Sequence, residues 1–385
     1  MTRFTHLDTG AYALPSGVLE RTQTPALVVH LEAVRENLRR MIAYAGSPDR
    51  WRPHVKTTKI PAVWAEVARA GVRHFKCATT REARLLAEVL VEEGVGAADV
   101  CLAYPLRGPG LAALGEIARA FPAVRVSVLC EDAELLPDIP PEVSIFVDVN
   151  PGMHRTGIPA EDGEAILAVA RGAGARLRGI HFYDGHLHGA DLAARRSAIH
   201  RGYDRLLLLR EALLADGLAV GELVTSGTPS FLHALAYPGF EGLAGTVHRI
   251  SPGTVVFHDL RSEEENPDLE LLPAAVVAAR VVSHPAADVV TCDAGSKSLA
   301  AEAGDPSAFV LGRPELAALS PSEEHLPLRV TAGERPARGE VLFLVPRHVC
   351  PTVNLAEEAL LVDGGEARAV RVAARAHELL GSGAR

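Results

Sequence analysis

Residues 74–105 read HFKCATTREARLLAEVLVEEGVGAADVCLAYP. A short strand-like run, HFKCA, leads into TREARLLAEVLVEE, whose apolar residues recur at three- and four-residue spacing. A second short apolar run, DVCLAYP, closes the stretch. Strand, helix, strand at this length predicts two parallel strands joined by a crossover helix. The same unit recurs on both sides. Upstream lies RPHVK; downstream lie RVSVLC, SIFVDV, LRGIHFY, ELVTSG and VHRISPG. With ALVVH taken as a lead-in strand, eight strands run from Arg52 to about Pro252. Eight βα units in about 200 residues predict an α/β fold, a (β/α)8 barrel, with a doubly wound open sheet as the rival.

After residue 255 the texture changes. AAVVAARVVSH, DVVTCDAGS, LPLRV, EVLFLVP and EALLVDGG are short β-like runs split by Gly, Pro and charges, followed by a helical pattern near 370–380. This predicts a second, mostly β domain. The expected division is a barrel over residues 20–255 and a β-rich, metal-binding domain that comprises residues 256–385 together with residues 1–19.

The 385 residues are 48% hydrophobic and 23% charged, enough for a large core and against disorder. The net charge of −9, without a long basic run, argues against a nucleic-acid partner. The five cysteines are widely spaced and form no CxxC pair, which points to a reducing cytoplasm rather than a disulfide framework. No run approaches the roughly 18 apolar residues of a membrane span, and the N-terminus shows no apolar core of a signal peptide.

Barrel chemistry sits at the C-terminal ends of strands, and the unusual residues fall there. Lys56 closes RPHVK. Asn150, Gly152, His154 and Arg155 follow SIFVDV. Tyr183 and His186 follow LRGIHF. Ser226, Gly227 and Thr228 follow ELVT, and Gly253 and Thr254 follow HRISP. The last two groups lie where such barrels commonly bind phosphate: glycines admit backbone N–H groups and the hydroxyls donate further bonds. They also fit plain strand-to-helix turns. Lys56 fits a solvated lysine, or an amine nucleophile that forms a Schiff base. His348 and Cys350 are two apart in a β-like context, so in a strand their side chains would share a face and could hold zinc. A buried cysteine beside an incidental histidine is the plainer reading. His186 and His188 are site-lining or turn residues, whereas His181 and His233 read as structural. No GxGxxG fingerprint supports a nicotinamide site.

In order along the chain, RPHVKTTK, VDVNPGMHRTGI, FYDGHLHG, TSGTPS, SPGTVVFHD, CDAGSKSL and HVCPTVNL resemble the landmarks of the D-serine dehydratase/D-threonine aldolase family. That family belongs to the fold-type III pyridoxal-phosphate enzymes, with alanine racemase. The resemblance spans residues 20–365. It implies that Lys56 carries pyridoxal 5'-phosphate and later moves the Cα proton. It implies further that Arg155 contacts the phenolic oxygen and that Tyr183 lies near the ring. Ser226, Gly227, Thr228, Gly253 and Thr254 would bind the phosphate. His348 and Cys350 would bind a divalent metal, zinc first, with manganese or magnesium as alternatives. A homodimer acting on a small D-amino acid is implied as well. Thr58 stands where the family's lysine motif has histidine, Val255 where tyrosine is frequent, and Ser251 where an arginine sometimes stands. The resemblance implies a lyase for β-hydroxy-D-amino acids. Dehydration to a 2-oxo acid and ammonia comes first, because His-x-Cys is the metal pair of the dehydratases. Retro-aldol cleavage to glycine and an aldehyde, with His186 as base, is the alternative, and racemisation comes third. A non-catalytic pyridoxal-phosphate-binding protein and a metal-independent sugar-phosphate aldolase are the readings outside this class.

Overall fold

In the computed structural model, which describes residues 2–188 and 191–379, the alternation read from the sequence is present. The first regular elements are the short helix α1 (Val18–Arg21), β1 (Ala26–His30) and α2 (Leu31–Ala45). The chain divides into two units, one holding residues 41–56 and 64–253, the other residues up to Arg40, 57–63 and 254–376.

The first of these units is the barrel. Its strands are β2 (His74–Cys77), β3 (Ala98–Leu102), β4 (Val124–Cys130), β5 (Ser144–Asn150), the two-residue β6 (Ile158–Pro159), β7 (Leu177–Phe182), β8 (Glu222–Thr225) and β9 (Val247–Ile250). Every pairing is parallel, in the order β2-β3-β4-β5-β7-β8-β9, with β6 added against β5. Crossover helices follow the strands: α3 (Pro61–Arg69) comes before β2, then α4 (Thr80–Glu92), α5 (Pro109–Ala120), α6 (Gly163–Ala173) and α7 (Leu192–Ala215). The short α8 (Phe231–Leu235) lies between β8 and β9.

The expected strand RPHVK is reduced. Trp51 bridges Ile250 and His54 bridges Lys76, both parallel, so residues 51–54 close the ring between β9 and β2. Pro53 cannot donate to a ladder, although its carbonyl accepts from Lys76 N–H at 2.9 Å. Val55–Thr57 then turn as a 3-10 helix. Gly253 packs against this segment so closely that a Cβ there would lie 2.3 Å from the His54 carbonyl oxygen.

Residues at the strand starts form a buried ionic network. Arg52 is fully buried and pairs with Asp99 at 2.8 Å and Glu222 at 2.7 Å, while Arg178 and Arg249 also reach Glu222. Next inward along the strands, Cys101, Leu129, Phe146 and Val224 pack as an apolar layer. The period of two carries the same face on to the strand ends, from Phe146 to Asp148 and from Val224 to Ser226.

The second unit is mostly β, as expected. After α9 (Leu260–Glu265) come β10 (Ala275–Ala286), β11 (Val289–Cys292), β12 (Ala308–Val310), β13 (Leu316–Ala318), β14 (Leu326–Val330), β15 (Val341–Pro346), the helix α10 (Val349–Leu355), β16 (Glu358–Asp363) and β17 (Glu366–Arg371). The main order is β13-β14-β11-β10-β1-β16-β17, with β15 pairing β10 and β12. Its pairs are antiparallel except β1 with β16. Strand β1 was expected within the barrel limits of 20–255, yet it joins this sheet, as do residues 20–40 and 57–63 their unit. A largely apolar run such as ALVVH fits any buried strand, and its partners lie far off in sequence, Leu27 facing Val277 and Ala359. The helical pattern near 370–380 gives β17 and turns up to residue 379, and residue 380 lies outside the described residues.

Candidate functional site

In the barrel unit, the loop after β5 is shaped by one side chain. Asn150 Oδ1 accepts from Gly152 N–H (2.9 Å) and His154 N–H (3.0 Å), folding NPGMHRTG back on the strand end. Gly157, at φ +98°, lies so close to the strand that a Cβ would stand 2.7 Å from Asn150 N. Arg155 leaves this loop and sets its guanidinium carbon 4.8 Å from the centre of the Tyr183 ring. His181 stacks on the same tyrosine, with centroids 6.4 Å apart and planes 8° apart. Gly227 is close on another side: a Cβ there would be 3.0 Å from the ring. Tyr183 is thus the hub that brings Arg155 and Gly227 together, as two of the expected cofactor contacts.

Ser226 is fully buried and left-handed, at φ +62°, a conformation uncommon for a residue with a side chain. Its Oγ has no hydrogen-bond partner among the described residues. Gly227 N–H already donates to Ser230 Oγ at 3.1 Å, and Thr228 is buried. A buried hydroxyl held in a strained turn without an acceptor is what an anionic group such as phosphate would satisfy. The residues at these strand ends therefore fit pyridoxal phosphate.

Lys56 lies half-buried in the 3-10 turn, where its N–H donates to His54 Nδ1 at 3.4 Å. A second lysine, which sequence reading missed, is buried in the barrel with only 2% of its surface exposed: Lys76 on β2. Its Nζ is 3.4 Å from His181 Nε2, and His181 Nδ1 is 2.7 Å from Asp148 Oδ1. His181, read as structural, links the two buried charged side chains. Burial pushes the Lys76 ammonium down to about 7, helped by the charges of Lys56 and Arg155. The signal was a lysine at an alternate position between Phe75 and Cys77 in an otherwise buried run.

His186 is half-buried, its Nδ1 enclosed and without a partner among the described residues. Burial, then His154 and His188, hold its pKa below the usual imidazole range, so the ring is neutral at neutral pH. Nearby Asp184 is raised by burial and bonds the Tyr203 and Ser230 hydroxyls, a structural role.

In the β-rich unit, the two residues expected to bind a metal are arranged differently from expectation. The strand β15 ends at Pro346; His348 is the N-cap of α10 and Cys350 sits in its first turn. Strand alternation therefore does not align them. The helix cap does: His348 hydrogen-bonds Cys350, and Val349 N–H is anchored on Asp259 Oδ2 at 2.9 Å. Burial opposes charge on His348, but the bond to Cys350 and the charges of Cys350 and Asp259 outweigh it and raise its pKa. Cys350 Sγ also lies 3.1 Å from Thr57 Oγ1 and 3.5 Å from Thr254 Oγ1. The Thr254 hydroxyl, expected at a phosphate, is therefore turned to the thiol. Imidazole and thiol in contact are a zinc-favouring donor pair. Among the described residues no group of three or more His, Cys, Asp or Glu that could hold a metal ion is present.

The family model described as "Alanine racemase, N-terminal domain" matches residues 29–259. The chain belongs to this family. It is a fold-type III pyridoxal-phosphate enzyme, and the model described as "Putative serine dehydratase domain" matches residues 274–362 of its β-rich part. The chain is 31% identical over 370 residues to a D-threonine aldolase of Arthrobacter sp, covering 92% of each chain. It is 26% identical over 249 residues, 62% of each chain, to a D-threo-3-hydroxyaspartate dehydratase of Delftia sp.. Among solved structures it resembles the D-threonine aldolase from Filomicrobium marinum at TM-score 0.78 and 28% identity, covering 94% of this chain and 98% of that one. No helix among the described residues is long and apolar enough to cross a membrane.

Proposed function

We propose that this chain is a pyridoxal-phosphate- and metal-dependent lyase for β-hydroxy-D-amino acids, cleaving Cα–Cβ to give glycine and an aldehyde. The observation that carries the choice of cleavage is His186, a neutral imidazole whose enclosed Nδ1 has no partner among the described residues. Such a group can take the β-hydroxyl proton whose departure drives a retro-aldol break. The 31% identity to an aldolase supports the same reading.

Pyridoxal phosphate, when bound, supplies the electron sink for charge left at Cα. Lys56 would hold it through Nζ. Ser226 Oγ and the Gly227–Thr228 turn would hold its phosphate, while the Tyr183 face and Arg155 would orient its ring. Gly253 leaves the room that the closing segment 51–54 needs. Of the β-rich unit's residues, His348 and Cys350 would hold a divalent ion, zinc by donor type, whose Lewis acidity makes a hydroxyl easier to ionise. His186 would receive the proton and release it again to solvent, from which its half-buried ring is not sealed.

The second reading is β-elimination, which the His348–Cys350 pair favours. A solved D-threo-3-hydroxyaspartate dehydratase variant, with a cysteine replaced by alanine, is described as being in the metal-free form. The experiment is product analysis with D-threonine, D-serine and 3-hydroxy-D-aspartate. Glycine plus aldehyde is expected; 2-oxo acid plus ammonia makes elimination the reaction. A protein that gives no visible band with pyridoxal phosphate overturns the cofactor assignment, and one that keeps its covalent adduct in Lys56→Ala overturns Lys56 as its carrier.

A further inference from the structure

We propose that Lys76 is a positioning residue: a buried chain from Asp148 through His181 holds its amine against Tyr183 and thereby fixes the ring face of the site. The proposal rests on the pyridoxal-phosphate reading of this pocket. It assigns a role to a group that the mechanism above does not use.

The geometry is continuous. Asp148 on β5, His181 on β7 and Lys76 on β2 come from three strands and all face the barrel interior, with distances of 2.7 Å and 3.4 Å between successive members. Lys76 Nζ stands 5.1 Å from the Tyr183 ring centre, and His181 stacks on that ring. Tyr183 is therefore touched by an amine, an imidazole and the Arg155 guanidinium, a set that leaves its plane little freedom. Asp148 Oδ2 has no partner among the described residues, so the chain ends in an acceptor that is not fully used. A lysine is rarely buried without a carboxylate in direct contact. Desolvation of such a cation is costly, and groups of this kind concentrate where a site uses them. As core filler, a methionine at position 76 would serve at lower cost.

The titratable and charged groups facing Lys76 are Cys101 on β3, Asp148 on β5, Arg155 after β5 and His181 on β7. Lys56 in the 3-10 turn and Asp184 after β7 also lie within its field. Its folded pKa is lowered, so the unfolded chain binds more protons between about 7 and 10.5. Stability therefore rises with pH across that window, and the cost of burying Lys76 is fully present below it.

Lys76→Met and Asp148→Asn test the proposal. In the protein without cofactor, Lys76→Met melts higher than the parent at pH 7, and the gap closes as pH approaches 10. In the cofactor-loaded enzyme, both variants keep the visible band but lose about tenfold or more in kcat, with KM changed less. A break in kcat near neutral pH is expected in the parent and is expected to be absent from Lys76→Met. The double variant falls no further than the worse single one, because both act through the same ring. A Lys76→Met enzyme with the parent's kcat and pH profile overturns the proposal, as do strictly additive losses. If Lys76→Met does not fold, Asp148→Asn alone decides: unchanged kcat and pH profile overturn it. Failure of the underlying reading shows separately, as the absence of a cofactor band in the parent protein.

Discussion

Two residues of the pocket carry opposite lessons about burial. Lys56 was visible in the sequence because a lysine closes a strand-like run. Ser226 was visible only as part of TSGTPS, and nothing in that string shows that its hydroxyl is buried at φ +62° without a partner among the described residues. An unmet buried hydroxyl costs about 1–3 kcal/mol, which a bound acceptor recovers. Ser226→Ala should therefore weaken pyridoxal phosphate binding by about tenfold, yet leave the melting temperature of the cofactor-free protein unchanged or slightly raised. Absorbance titration with the cofactor and thermal unfolding without it check the two halves. A large loss of stability without cofactor would show that the hydroxyl serves the fold instead.

At the scale of elements, what was legible depended on whether the pattern was local. The strand–helix period from 74 to 252 gave the barrel, because amphipathic spacing is a property of each segment alone. The strand RPHVK was overread, since Pro53 and the 3-10 turn leave two bridges in place of a ladder. The spacing of His348 and Cys350 pointed to two side chains in contact, but through the wrong geometry: a helix N-cap brings them together, and a cap after Pro346 is not distinguishable from a strand end by two-residue periodicity. That cap makes a specific prediction. Cys350→Ala removes one of the two contacting donors while leaving Val349 anchored on Asp259. The purified variant should lose its divalent metal by mass spectrometry and nearly all turnover. It should keep the pyridoxal phosphate band, because the Ser226–Tyr183 residues of the barrel unit are untouched. Retained metal at one ion per chain would contradict the assignment of Cys350 as a ligand.

For the whole chain, the division of residues between units was the least legible feature. Strand β1 reads as a lead-in strand within the barrel's limits, and only its pairing with β10 and β16 gives it to the β-rich sheet. Long-range pairing has no local signature. The Lys76–His181–Asp148 chain was missed for the same reason, as three strands must assemble before three ordinary core residues become a set. Both units nevertheless share one electrostatic property. His30 in the β-rich unit is pushed by burial down to about 4. In the barrel, His74 is held at about 4 by burial and by Arg52 and Arg249, and burial takes His248 to about 3. Their contacts suit the neutral ring: His248 Nε2 is 2.8 Å from the Thr225 hydroxyl and His74 Nε2 is 2.9 Å from the Arg249 guanidinium. A histidine with a lowered folded pKa contributes stability that is present above the unfolded value near 6.5. That stability is lost as pH falls through the folded value. Each unit of depression is worth about 1.4 kcal/mol, so three such groups make the chain acid-labile well above the carboxylate range. The melting temperature of the cofactor-free protein should fall steadily from pH 6.5 to pH 4. His248→Gln should flatten the barrel's share of that slope even if its stability at pH 7 is lower. An unchanged slope in that variant would mean that protonation of buried histidines is not what unfolds the barrel in acid.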